Sequence, residues 1–159
     1  MGLYSFYRIS KPSAEQVAPE KTDSTYKALR NRTFWGVTIA YSLYYVCRMS
    51  LSVVKQPLID EGVLSAGELG VIGSALLFVY AVGKFMNGFI ADYCNIKRFM
   101  ATGLFFSALI NLVLGSLGFL HDGFHLSTAV IFFSFAVLWG INGWMQSMGS
   151  PPGVISLSR

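Results

Sequence analysis

Two cations stand inside apolar runs: Arg48 in "YSLYYVCRMS" and Lys84 in "YAVGKFMNG". An arginine at the centre of a membrane helix costs about 2.5–3.5 kcal/mol on insertion scales, so something has to offset it. The carboxylates of the chain do not. Glu15, Glu20, Asp23, Asp60, Glu61, Glu68, Asp92 and Asp122 all lie outside the apolar runs or at their ends. Two cations at that depth without a counter-ion call for an anion from elsewhere, either a ligand or a further part of the protein. A guanidinium fork suits phosphate or carboxylate bidentately, and an ammonium adds a compact second charge. The competing reading is that Arg48 snorkels outward and Lys84 inward, each toward its helix end.

Their neighbours share the pattern. Tyr41, Tyr45, Arg48 and Ser52 fall on one helical face, as do Tyr80, Lys84 and Asn87. Trp139, Asn142, Gln146 and Ser150 repeat the spacing further on. Three polar stripes point to a shared interior. Counted along straight axes, Arg48 and Lys84 differ by ~12 Å in depth. They can therefore reach one anion together or serve successive stations on a path.

The elements that must position these residues follow from composition. With 53% hydrophobic and 13% charged residues, the chain is far below the about 25% charge of soluble domains. It reads as an all-α, polytopic membrane protein. About 20 apolar residues cross a bilayer core, and four segments qualify: about 33–54, 68–91, 99–120 and 126–157. Residues 1–32 form a polar, basic arm. "KQPLIDEGVLSAG", "DYCNIKR" and "HDGFH" connect the spans, and Ser65 with Glu68 suits a capping box. On the third span Gly103, Ser107, Asn111 and Gly115 form a stripe of small and polar residues. It reads as a packing face more than a pore lining.

Six basic residues precede the first span, Lys97 and Arg98 follow the second, and only Lys55 lies on the opposite side. That imbalance places the N-terminus in the cytoplasm, and the expected location is the plasma (inner) membrane, multi-pass. Basic charge used this way leaves no recognition domain for nucleic acid. Cys47 and Cys94 are expected to be free thiols and too few for a usual metal site. No cofactor is expected. No enzyme is expected either, because no nucleophile has a base at hand and His121 and His125 flank only Asp122.

Four stretches resemble the organophosphate:phosphate antiporters of the major facilitator superfamily, which include glycerol-3-phosphate and hexose-phosphate transporters and a related hexose-phosphate sensor. "YSLYYVCR" is similar to the family's first helix and "YAVGKFMNGFIADYCN" to its second. "GFIADYCNIKR" resembles the superfamily's loop signature, and "GWMQSMGSPP" the family's fourth helix. The resemblance implies the first four helices of a major facilitator N-terminal half. It implies exchange of a phosphorylated small molecule for inorganic phosphate, with Arg48, Lys84, Tyr45 and Tyr44 contacting substrate. Gly88, Asp92, Lys97 and Arg98 then belong to a gate, and Pro151 and Pro152 interrupt the fourth helix. Two positions depart from the family: Tyr93 replaces a basic residue of the loop signature, and Met49 replaces a cation common beside the arginine. The family has twelve helices, so partner helices beyond these four are expected, in a longer protein or one whose gene is interrupted. The alternatives are a membrane sensor of external hexose phosphate, or a truncated remnant without function.

Overall fold

The computed structural model describes residues 6–9, 17–124 and 127–158. His125 and the expected helix start at Leu126 lie outside the described residues, as do residues 1–5 and 10–16 of the polar arm. A short 3-10 turn, Pro19–Lys21, leads into α1, Thr22–Asp60; α2 is Ala66–Tyr93, α3 Ile96–Phe124, α4 Thr128–Ser147 and α5 Ser150–Ser158. Among the described residues there is no strand. Four helical spans are long and apolar enough to cross a membrane, with α4 and α5 acting as one. The chain is all-α and built as a multi-pass membrane protein.

The helices outrun the apolar windows because polar residues do not stop a helix. α1 begins eleven residues earlier than the hydropathy predicts, with Asp23 in its first turn paired to Lys27 at 2.8 Å. It also runs six residues further and contains Pro57 near its end. Gly62, at φ 69°, stops it. The Gly62 N–H donates to the Ile59 carbonyl and the Val63 N–H to the Leu58 carbonyl, both at 3.0 Å, which completes a Schellman motif. The expected capping box opens α2: the Glu68 N–H donates to Ser65 Oγ, and the Ser65 N–H to Glu68 Oε2. The segment "HDGF", expected in a loop, continues α3 to Phe124. A glycine costs a helix about 1 kcal/mol relative to alanine, which does not end it when neighbouring turns continue.

Apolar collapse does not drive helices together in lipid, so close packing has to. α2 and α4 make the most intimate pair. A Cβ on Gly143 would lie 2.5 Å from the Leu76 carbonyl, and one on Gly83 would strike the Ser147 hydroxyl. Leu69, Ile72 and Leu76 of α2 interlock with Ile131, Phe135 and Trp139 of α4. Ile110 and Leu114 close this core from α3. The stripe on α3 does pack: Gly103 lies against Tyr44 and Met145, and Ser107 is fully buried. Gly115 faces open space instead.

Candidate functional site

α1 reaches α2 chiefly through side chains, and Arg48 is the centre of that contact. Its Nε donates to Gln146 Oε1 of α4 at 2.7 Å. Its guanidinium carbon lies 4.4 Å from the centre of the Tyr80 ring of α2 and 5.3 Å from that of Tyr45. Lys84 Nζ lies 5.5 Å from the centre of the same Tyr80 ring. Both cations therefore lie against the same aromatic ring, whose quadrupole attracts each, with Arg48 half-buried and Lys84 exposed. Across the ~12 Å offset expected from helical rise, the two long side chains reach a common ring, Tyr80.

None of these partners cancels a charge. Gln146 is a neutral amide, and the only ion pair among the described residues is Lys27 with Asp23, at the start of α1. Gln146 is 2% exposed and its Nε2 has no hydrogen-bond partner among the described residues. A buried donor left unpaired costs about 1–3 kcal/mol. The arrangement gathers two cations and two tyrosine rings beside Gln146 of α4, donors of the kind that suit an anion with several oxygens.

A polar ladder extends from this point through the helices. Asn87 Nδ2 donates to Ser147 Oγ at 2.6 Å, both buried. Ser107 Oγ donates to Asn142 Oδ1 at 2.6 Å, and Asn111 Nδ2 to the Ser107 carbonyl at 2.8 Å. Ser50 Oγ in turn donates to Asn111 Oδ1. The residues of the expected stripes mostly serve to join helices here, and Trp139 sits in the apolar core.

The other expected site residues divide. Tyr45 lies against Arg48 and is half-exposed. Tyr44, one position along, points the other way: it is 3% exposed, its hydroxyl donates to the Met100 carbonyl at 2.7 Å, and Gly103 and Gly149 pack against its ring. Gly88 faces open space, and Asp92, Lys97 and Arg98 are exposed. Arg98 binds the Phe6 carbonyl at 2.6 Å, not Asp92. The fourth helix stops at Ser147 and restarts at Ser150, with Pro151 and Pro152 in the first turn of α5. Neither proline has an N–H to give to the carbonyls of Ser147 and Met148. Gln146, the anchor of Arg48, lies in an expected stripe, but its spacing gives no sign that it meets Arg48.

No family model matches the chain, and no solved structure matches it either. Curated relatives do. The glycerol-3-phosphate transporter of Bacillus subtilis is 37% identical over 141 residues, covering 89% of this chain and 30% of that protein. A probable hexose phosphate transport protein of Chlamydia pneumoniae is 34% identical over 147 residues, 92% of this chain and 30% of its own length. The membrane sensor protein UhpC of Escherichia coli is 30% identical over 129 residues, 81% of this chain and 27% of its length. In sequence the chain is a relative of the organophosphate transporters and of the membrane sensor in the same family, and it spans about 30% of the length of the curated relatives it matches.

Proposed function

We propose that the chain forms part of a membrane transporter that moves a phosphorylated small molecule, a sugar phosphate or glycerol phosphate, in exchange for inorganic phosphate. One observation carries this reading: Arg48 and Lys84 share the Tyr80 ring while, among the described residues, no carboxylate pairs with either. A phosphate group supplies the missing negative charge. Arg48, steadied at Nε by Gln146, offers its remaining N–H donors to two phosphate oxygens. Lys84 adds a point charge from α2, and the rings of Tyr45 and Tyr80 wall the site. Relatives named for glycerol-3-phosphate and hexose phosphate transport support the substrate class. Alternating access would have further helices rock about this site, with Asp92, Lys97 and Arg98 as the cytoplasmic gate.

The test is equilibrium binding of labelled inorganic phosphate to the chain in bilayer discs. Arg48→Gln is expected to weaken binding at least about tenfold, the size of one charge-assisted hydrogen bond, and Lys84→Gln to weaken it less. Equal binding by wild type and both variants would remove the site. A second reading, a membrane sensor of external hexose phosphate, is supported by the match to UhpC; neutral Met49 beside Arg48 is compatible with it without deciding it. Vesicles loaded with phosphate separate the two: a transporter exchanges label with the outside, whereas a sensor binds without exchange.

A further inference from the structure

Phe6 and Tyr7 precede the polar part of the arm, yet they lie against the turn between α2 and α3. The Asn95 N–H donates to the Tyr7 carbonyl at 2.8 Å. The Tyr7 hydroxyl donates to Thr102 Oγ1 at 2.9 Å, and Arg98 Nη1 donates to the Phe6 carbonyl at 2.6 Å. The Arg98 guanidinium also covers the Phe6 ring at 4.9 Å. Tyr7 packs edge-on to Phe99 and rests on the cluster of Ala91, Phe99 and Met148. One tyrosine thereby rests on a cluster drawn from the end of α2, the start of α3 and the junction of α4 with α5.

Each contact answers a local need. α3 starts at Ile96, and Asn95 caps it by accepting the Arg98 N–H at Oδ1, 3.2 Å away. The Tyr7 carbonyl then takes the Asn95 N–H itself. Arg98 places a cation in the first turn of a helix, where the macrodipole disfavours it. The Phe6 carbonyl and ring offset that cost.

We infer that Phe6–Tyr7 is an intramolecular strap that fixes the turn between α2 and α3 and engages Arg98 in place of a carboxylate. With the strap docked, the turn and the start of α3 are held against the cluster that includes Met148 of the α4–α5 junction; with it released, Arg98 loses its contacts with the Phe6 carbonyl and ring. The strap is independent of what Arg48 binds.

Hydrogen exchange of the whole chain in phosphatidylcholine discs tests it, with the paired change Phe6→Ala and Tyr7→Ala compared against Tyr7→Phe. The paired variant is expected to exchange about tenfold faster across residues 95–99, with the interiors of α2 and α4 unchanged. Tyr7→Phe, which keeps the ring and the carbonyl, is expected to show a smaller rise centred on Thr102. Unchanged exchange in the paired variant would overturn the strap. Faster exchange throughout the helices would overturn it too, because the pair would then support the whole bundle and not the turn.

Discussion

The described side-chain partners of Arg48 are a neutral amide and two aromatic rings, none of which carries a negative charge to balance it. That makes Gln146 the residue on which the anion hypothesis turns. Gln146→Glu would give the guanidinium an internal carboxylate, and a phosphate would then have to compete with it. Phosphate affinity is expected to fall at least about tenfold, since pairs with charged groups contribute about 1.5–3 kcal/mol; unchanged affinity in the same binding assay would take Arg48 out of the site. Arg48 and Lys84 were legible in the sequence because a charge inside an apolar run has few explanations. Gln146 was not, because its contact with Arg48 joins residues 98 positions apart. Tyr44 and Tyr45 show the same limit. Adjacent helical positions point in different directions, and the glycines that receive Tyr44, Gly103 and Gly149, lie on α3 and at the α4–α5 break.

At the scale of elements, the closeness of α2 and α4 rests on positions that admit no side chain. A Cβ at Gly143 would meet the Leu76 carbonyl at 2.5 Å, and backbone cannot move aside cheaply. Gly140, one turn away on α4, has only Val79 Cγ2 at 3.8 Å, an ordinary contact. Gly143→Ala is therefore expected to destabilise the bundle by about 1–3 kcal/mol through overpacking. Gly140→Ala is expected to be neutral or stabilising, because alanine favours the helix by up to about 1 kcal/mol. Thermal unfolding in detergent compares the two directly; equal losses would mean that α4 does not pack on α2 through Gly143. The spans themselves were readable from apolar length, and the α2 start from Ser65 and Glu68. Helix ends were not, because hydropathy marks where lipid begins, while the pair Asp23–Lys27 supports an earlier start of α1 and Gly62 sets where it stops.

At the scale of the whole molecule, the length of α1 bears on orientation. Its 39 residues extend about 58 Å at 1.5 Å per residue, well beyond the ~30 Å hydrocarbon core and the about 40–45 Å that includes headgroups. One end must project, and Lys27, Arg30 and Arg32 lie near the start of the helix. Arg32 and Lys97 line one groove between α1 and α3, so the beginning of α1 and the α2–α3 turn share a face of the bundle. Glu61, capping the other end of α1, belongs to the opposite face. The cytoplasmic preference of basic residues near span ends predicts that the basic face is the inner one, and labelling tests both faces at once. In a background with Cys47 and Cys94 replaced by serine, Tyr93→Cys is expected to react with an impermeant maleimide only after cells are opened. Glu61→Cys is expected to react in intact cells. Both positions are exposed in the structure, so reactivity reports the side of the membrane and not burial. The reversed pattern would invert the chain and move Asp92, Lys97 and Arg98 to the outer face. It would also place the docked strap there, so the labelling result decides which compartment Phe6 and Tyr7 face.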